Sequence, residues 1–197
     1  MVAKNKIINM KIINRLKQAI RDFYVLYADS TELLEKAEKL LRPLPKGCEL
    51  VKLTYDNKDC YKCQWNVNQI LEGDRRGGQV LAIVNENNEI IAYHYGVCRD
   101  NRSMFFKVKN CDFEHIELLV NEEYRRNGIA LFLLYHMVKS MCPHNKKLST
   151  CIKPDNIPSI KLHELIGFKI SHRVKFFHMA RIINGHYVYF NFPHYKI

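Results

Sequence analysis

The chain of 197 residues lacks any apolar run that approaches the length needed to cross a bilayer. Its first stretch, Met1 to Tyr27, alternates Ile and Leu with Lys and Arg. This pattern predicts a basic amphipathic segment, which either packs onto the rest of the protein or rests on a membrane surface. Internal repeats and low-complexity runs are also absent, which excludes a solenoid or a disordered repeat.

Disulfide and zinc patterns are missing too. The seven cysteines are odd in number, and no secretory segment precedes them, so we expect a reducing, cytoplasmic location. Cys60 and Cys63 form a C-x-x-C pair, but no second such pair and no His-x-His partner follows at ligand spacing. We therefore expect structural or incidental thiols and no metal.

What the chain does contain is an ordinary globular composition with excess positive charge. Hydrophobic residues make up 47% and aromatic residues 11%, which suits one domain of this length. The formal net charge of +11 favours phosphate-bearing ligands, nucleic acid or an anionic membrane face, and charge alone does not choose among them. No known nucleic-acid-binding motif is present, so no nucleic acid partner is expected.

One segment has the pattern of an anion site. Val120–Leu131 reads V-N-E-E-Y-R-R-N-G-I-A-L, a strand end, then a polar loop with Arg125, Gly128 and Ala130 at R-x-x-G-x-A spacing. The apolar-periodic helix Ile129–Met141 follows. A loop entering a helix N-terminus directs unpaired N–H groups and the positive end of the helix dipole at one spot, and a glycine lets a phosphate approach. Alternatively, the glycine only relieves a tight turn and the arginines form a solvated face.

A second segment narrows the interpretation. After a predicted strand at Leu148–Ile152, residues Asn156–Phe168 read N-I-P-S-I-K-L-H-E-L-I-G-F, a short helix that ends in Gly-Phe. The two segments together resemble the GNAT family of N-acetyltransferases, over roughly Gln79 to Arg173. In that family the first motif holds the pyrophosphate of acetyl-CoA and the second lines its pantetheine arm.

The resemblance implies a fold, a cosubstrate and a set of binding residues. The implied fold is α/β (α+β), with a mixed, mostly antiparallel central sheet flanked by helices, and acetyl-CoA is the implied cosubstrate without a metal. Backbone N–H groups of the first motif would bind phosphate, assisted by two arginines, while a strand N–H would stabilise the oxyanion. The implied cofactor-binding residues are Leu118, Val120, Arg125, Arg126, Asn127, Gly128, Ile129, Ala130, Asn156 and Ser159.

Local patterns predict the remaining elements. Two helices are expected at Lys6–Ala28 and Thr31–Leu41, the second capped by Ser30, which gives an N-terminal helical segment over 1–47 that packs on or leads into an acyltransferase domain over 48–197. Strands are expected at Glu49–Tyr55, Gln79–Val84, Glu89–Val97, Phe113–Val120, Leu148–Ile152, Phe168–Phe177 and His186–Phe190.

Two carboxylates are candidates for the base that deprotonates an attacking amine. Glu114 and Glu117 are three residues apart, so on a regular strand they face opposite sides, and only one reaches the cleft unless a bulge intervenes. By the resemblance, Glu114 falls where several family members place a base, and Glu117 where others hold the acceptor amine. We favour Glu114 slightly.

His163 is the third catalytic candidate. It occupies the position where many family members have the tyrosine that protonates the departing thiolate. An imidazole has an ordinary pKa of about 6.5, so three roles stay open: acid when protonated, base, or a structural side chain with water protonating the thiolate. If the ring transfers protons, we expect a limb with pKa near 6 to 7 in the pH–rate profile.

The acceptor is the least determined part of the function. We expect a primary amine of a small molecule, such as an amino sugar or an amino acid derivative. The alternatives are a protein amine, or a non-catalytic module that binds CoA or nucleic acid. Trp65, Tyr93, Tyr95 and Phe176 would form either an aromatic wall for the acceptor or ordinary core. A basic C-terminal block favours an anionic acceptor; it consists of His172, Arg173, Lys175, Arg181 and His186. The oligomeric state stays open.

Overall fold

The computed structural model describes residues 20–71, 78–98, 112–183 and 186–196 as one eight-stranded sheet with helices. The strands are β1 (Ile20–Asp29), β2 (Glu49–Lys52), β3 (Gln79–Val84), β4 (Ile90–Cys98), β5 (Phe113–Val120), β6 (Lys147–Ile152), β7 (Lys169–Ile183) and β8 (His186–Lys196). The helices are α1 (Ser30–Glu38), α2 (Val67–Ile70), α3 (Ile129–Met141) and α4 (Ile157–Leu165), with 3-10 turns at Lys58–Cys60 and Glu122–Tyr124.

The strand order is β2-β3-β4-β5-β6-β1-β7-β8, and all neighbours are antiparallel except β5 and β6. The β5–α3–β6 connection is the crossover that a parallel pair requires. The predicted fold class, a mixed and mostly antiparallel sheet with flanking helices, is confirmed.

The parallel pairing of β5 with β6 is short, and the two strands separate beyond it. Only Phe113, Glu114 and His115 of β5 pair with β6, opposite Leu148, Ser149 and Thr150. Beyond His115 the remaining five residues of β5 pair with no strand of the described ranges on that side. The sheet therefore contains a gap between β5 and β6, next to the loop that leads into α3.

Apolar side chains pack on both faces of the sheet. On one face, here called the helix face, α1, α3 and α4 bury residues such as Leu33, Leu134 and Ile160 against Phe113 and Leu148. On the opposite face, the segment between β2 and β3 contributes Leu53, Ile70 and Leu71, which pack against alternate residues of β3 and β4. This second surface is here called the loop face.

The predicted helix over Lys6–Ala28 is wrong from Ile20 onward. Residues 20–29 form β1, which lies between β6 and β7, and residues 6–19 of the prediction lie outside the described part of the chain. The run I-R-D-F-Y-V-L-Y-A-D is rich in aromatic and branched residues, which favour a strand once partners on both sides are available. Residues 20–29 thus join the sheet formed by 48–197, and the division of the chain at residue 47 stays a prediction.

The start of α1 also differs from the prediction. Asp29, rather than Ser30, is the N-cap, because its Oδ1 accepts hydrogen bonds from the N–H groups of Thr31 (2.8 Å) and Glu32 (3.2 Å). The Ser30 hydroxyl oxygen instead accepts from the N–H of Lys146 at 3.0 Å, which ties α1 to the start of β6. The first predicted strand ends at Lys52 rather than Tyr55, and the last two run on to Ile183 and Lys196.

Candidate active site

A β-bulge in β5 brings the two candidate carboxylates to the same face. Tyr95 of β4 pairs with Glu117 and the next residue, Gly96, pairs with His115, so Ile116 is an extra residue on β5. Because a bulge shifts the alternation of side chains by one, Glu114 and Glu117 both point to the loop face. The sequence allowed both carboxylates to reach one face only if a bulge lay between them, and the structure has this bulge.

Glu117 lies half-buried beside aromatic rings. The hydroxyl of Tyr93 donates a hydrogen bond to its carboxylate, and the Trp65 ring meets the Tyr93 ring edge-on at a centroid distance of 5.2 Å. Burial raises the pKa of Glu117 above its ordinary value of 4.5, and the Tyr93 hydrogen bond opposes that rise. A carboxylate with a raised pKa is a stronger base than an exposed one.

Glu114 has a different environment although it shares the face. It lies where β5 still pairs with both neighbours, opposite Val97 and Ser149, and only 7% of the residue is exposed. Glu117 lies beyond the last β5–β6 pair, beside the gap. Of the two carboxylates, Glu117 is therefore the one that lies beside the gap and is less buried.

Two backbone N–H groups of β5 face the gap. The N–H of Asn121 donates to the carbonyl of Ile91 on β4 at 2.8 Å, so Asn121 faces β4. In an antiparallel strand, the N–H and C=O groups of alternate residues point to the same neighbouring strand. The backbone groups of Glu117 and Leu119 therefore also point to β4, while those of Leu118 and Val120 point away from it. The N–H groups predicted to line the cofactor thus point to where β6 has separated from β5.

The loop before α3 is shaped by its own arginine. Arg125 Nε donates to the carbonyl of Val120 at 3.2 Å, and Arg125 Nη1 lies 3.1 Å from Glu122 Oε1. This side chain closes the loop, which the sequence did not show. Asn127 Nδ2 reaches the Tyr124 carbonyl only weakly, at 3.4 Å.

The backbone of this loop is bent so that its N–H groups converge. Arg126 has φ +68° and Gly128 has φ +80°, both in the left-handed region, and Gly128 is the N-cap of α3 without a side-chain cap. The first helical hydrogen bond from this end runs from Phe132 N to Gly128 O at 3.0 Å. The N–H groups of Ile129, Ala130 and Leu131 therefore have no acceptor within the helix. Such a group of unpaired N–H donors is expected at an anion site.

Arg42 is a basic residue at this site that no motif revealed. A Cβ added to Gly128 would lie 3.5 Å from Arg42 Cβ and 3.8 Å from its Cδ. Arg42 follows α1 and is far from the motif in sequence, so only the fold brings them together. Its exposed guanidinium adds positive charge beside the start of α3.

The second motif begins α4 and positions His163. Asn156 is the N-cap, and its Oδ1 accepts from the Ser159 N–H at 3.3 Å, which leaves its Nδ2 for a ligand. The His163 ring is 4% exposed, packs edge-on against Phe168 and has Nδ1 at 2.8 Å from the Ser159 carbonyl.

The state of the His163 ring follows from these contacts. A carbonyl only accepts, so Nδ1 carries the proton and Nε2 carries the lone pair. Burial lowers the pKa of His163 to about 4, so the ring is neutral at pH 7. The sequence predicted a limb with pKa near 6 to 7 in the pH–rate profile. With the ring buried, that limb is expected at a pKa of about 4 if the ring transfers protons.

The remaining candidate side chains lie in different parts of the structure. Tyr93 and Tyr95 are each 3% exposed on the loop face, and Trp65 packs there too, whereas the Phe176 side chain lies outside the described part. In the basic C-terminal block, Arg173 binds both carboxylate oxygens of Asp22, at 2.8 and 2.6 Å. Part of the positive charge of that block is thus neutralised by Asp22.

No group of three or more metal-binding side chains occurs among the described residues. Cys60 is exposed, Cys63 is half-buried, and burial raises the pKa of Cys63.

Among the helices that the structure describes, none has the length and apolar character to span a membrane.

The comparison with family models identifies the class. The model described as the Acetyltransferase (GNAT) family matches residues 52–168, more than half of the chain and inclusive of both motifs. The chain therefore belongs to the GNAT family. A search of curated proteins finds no match.

Solved structures support the fold at low sequence identity. A tandem GNAT protein from the clavulanic acid biosynthesis pathway matches 88% of this chain and 54% of its own, with a TM-score of 0.56 and 15% identity. A GCN5-related N-acetyltransferase-like protein from Streptococcus suis matches 85% and 65%, with a TM-score of 0.52 and 17% identity. A GNAT-family acetyltransferase from Novosphingobium aromaticivorans matches 79% and 62%, with a TM-score of 0.51 and 15% identity. The chain spans between about half and two thirds of these proteins' length.

Proposed function

We propose that this chain transfers the acetyl group of acetyl-CoA to a primary amine of a small molecule. The observation that carries the proposal is the bulge in β5. It places the Glu117 carboxylate, with its raised pKa, beside the gap into which the N–H of Leu118 points. A base and an N–H donor next to each other are what acyl transfer from a thioester requires.

The backbone and charges around α3 support binding of the cosubstrate. The N–H groups of residues 126–131 would hold the pyrophosphate, with the side chains of Arg126 and Arg42 as charge-assisted partners. Arg125 contributes mainly by closing the loop. The Val120 N–H and the Asn156 amide would bind the pantetheine amides on the two sides of the gap.

Glu117 and Leu118 would divide the chemical work. Glu117 takes a proton from the acceptor ammonium, and the free amine forms a C–N bond to the acetyl carbon. The Leu118 N–H donates to the oxygen that becomes negatively charged. As the C–S bond breaks, its electron pair leaves on sulfur and the nitrogen of the tetrahedral intermediate loses its second proton to water, so that a neutral amide and CoA thiolate are released.

His163 does not suit the role of acid in that last step. Its ring is neutral at pH 7 with Nδ1 committed to Ser159, so it has no proton to give to the thiolate. We propose that water protonates the sulfur and that His163 mainly packs α4 against Phe168.

The surroundings of Glu117 favour a small acceptor with an apolar or aromatic body. The Tyr93 hydroxyl contacts the carboxylate and the Trp65 ring packs against the Tyr93 ring, and such rings bind both cations and apolar groups. Amino sugars and amino acid derivatives fit this description, and protein amines are the alternative. The thiols of Cys48, Cys60 and Cys63 support a reducing, cytoplasmic location.

Release of free thiol from acetyl-CoA, measured with a panel of primary amines, tests this function. We expect release that depends on the amine and saturates with acetyl-CoA, with small amines preferred over peptides. Release with a lysine-bearing or N-terminal peptide alone would indicate a protein acetyltransferase. Binding of acetyl-CoA without release for any amine would indicate a non-catalytic CoA-binding module.

A further inference from the structure

Two buried histidines on neighbouring strands form a hydrogen-bonded pair below the bulge. His94 of β4 and His115 of β5 are 1% and 2% exposed, on the helix face of the sheet. His94 Nε2 lies 2.8 Å from His115 Nδ1, and the rings stack with centroids 5.0 Å apart. The proposed chemistry does not involve either ring directly.

The contacts fix where each proton lies. His94 Nδ1 is 2.8 Å from the carbonyl oxygen of Glu117, and a carbonyl only accepts, so Nδ1 of His94 donates. Burial lowers the pKa of both rings, so both are neutral. His94 Nε2 is then an acceptor, and His115 Nδ1 donates to it.

This assignment leaves one bare lone pair. His115 Nε2 is buried and has no hydrogen-bond partner within the described ranges. An unsatisfied buried acceptor destabilises a fold, and two apolar side chains of similar shape would avoid it. The pair therefore requires an explanation other than stability.

The accepting carbonyl belongs to the peptide at the centre of the site. The C=O of Glu117 and the N–H of Leu118 lie in one planar trans peptide and point in opposite directions. The imidazole of His94 holds the carbonyl towards β4, so the N–H of Leu118 is directed away from β4, into the gap. At a bulge the ladder is locally disrupted, so a side-chain donor can fix an orientation that the ladder leaves loose.

We propose that His94, oriented by His115, is a positioning residue that aims the Leu118 N–H at the acyl oxygen. The inference rests on the proposed function, and it adds a pair of residues to which neither motif pointed. The same peptide carries the base, so one imidazole orients both the oxyanion donor and the main chain of Glu117.

Two substitutions of His94 separate positioning from packing. In His94→Asn the side-chain Nδ2 replaces the ring Nδ1 as donor to the Glu117 carbonyl, whereas His94→Leu has no donor. Removing an oxyanion donor lowers kcat by about 10²- to 10³-fold, so misdirecting it should lower kcat by about 10- to 100-fold in His94→Leu. We expect KM for acetyl-CoA to stay within about threefold, and His94→Asn to recover most of kcat.

The double variant His94→Leu/His115→Leu is the control for folding. It removes both rings and the unsatisfied His115 Nε2 together, which offsets the loss of the imidazole donor to the Glu117 carbonyl, so its melting temperature should stay close to that of the wild type while kcat stays low. Wild-type kcat in a folded His94→Leu or double variant would overturn the inference, as would a His94→Asn variant no better than His94→Leu.

A readout independent of catalysis keeps this inference distinct from the proposed function. The ¹H–¹⁵N amide resonance of Leu118 should shift in His94→Leu and return towards its wild-type position in His94→Asn. An unmoved Leu118 resonance in His94→Leu overturns the positioning role, even if acetyl transfer is observed. If no transfer occurs with the wild type but the resonance shifts as expected, the proposed function fails and the positioning of this peptide stands.

Discussion

Replacing Glu117 by glutamine should lower kcat for acetyl transfer by about 10²- to 10⁴-fold, the range that general bases typically contribute. Glutamine keeps the shape of the side chain and still accepts from Tyr93, but it takes no proton from an ammonium. Raising the pH should recover part of the rate, because the acceptor then supplies free amine. In the wild type, the rate should fall at low pH as Glu117 is protonated, at a pH above its ordinary pKa of 4.5, since burial raises that pKa.

The stability of Glu117→Gln should not fall together with its kcat. A carboxyl group whose pKa is raised by folding favours the folded state below its unfolded pKa and loses that contribution as the pH rises through the folded pKa. At pH 7 the buried charge of Glu117 therefore opposes folding, and Glu117→Gln should keep or raise the melting temperature. A fall in both kcat and melting temperature would point to misfolding instead of a lost base.

Glu114→Gln is the matched control, because it makes the same change on the same face of the same strand. We expect a much smaller effect on kcat, since β5 is still paired on both sides at Glu114. A loss confined to Glu114→Gln would return the base to the residue that the sequence favoured. Full activity in both variants, and in His163→Ala, would assign the proton to a water chain.

Replacing Gly128 by valine should raise KM for acetyl-CoA by about 10- to 100-fold, because a hydrogen bond to a charged group contributes about 1.5 to 3 kcal/mol. Gly128 has φ +80°, where a β-branched residue is strained, and its new Cβ would lie 3.5 Å from Arg42 Cβ. The added methyl groups would also occupy the approach of a phosphate to the N–H groups of α3. Steady-state kinetics with varied acetyl-CoA measure the effect, and circular dichroism checks that the fold is retained.

Gly47→Val is the control for backbone strain. Gly47 has φ +76° in an exposed turn, and a Cβ there would meet the flexible Glu86 side chain at 3.2 Å. This variant should lose a comparable amount of stability without a change in KM for acetyl-CoA. An unchanged KM in folded Gly128→Val would mean that the phosphates bind elsewhere.

Local sequence predicted the elements around the first motif well. Phe113–Val120 and Ile129–Met141 have the predicted bounds, because a short apolar strand, a glycine and a periodic helix each leave a strong local signal. The helix prediction failed over residues 20–29 because it was extended from the alternation of apolar and basic residues that precedes Ile20, whereas residues 20–29 contain one basic residue and pair with strands on both sides. Partners on both sides of β1 come from β6 and β7, which lie more than a hundred residues later in the chain.

The candidate site was predictable only in part. Nothing in the local sequence indicates that a bulge lies at Ile116, where it decides the face of Glu117, or that Arg42 approaches Gly128. His94 and His115 carry no motif, and their pairing depends on strand register. The position of His163 in the second motif was visible, but its low pKa depends on burial of the ring between α4 and the rest of the protein, which the motif does not specify.

Calorimetric titration of the protein with acetyl-CoA tests the central claim most directly. We expect one binding site with a dissociation constant between low micromolar and submillimolar values. At about 100 times that constant, the ligand should stabilise the fold by about 2.7 kcal/mol, which raises the melting temperature by about 5 to 10 °C. No heat and no melting shift with millimolar acetyl-CoA, together with tight, salt-sensitive binding to DNA or RNA, would contradict the account.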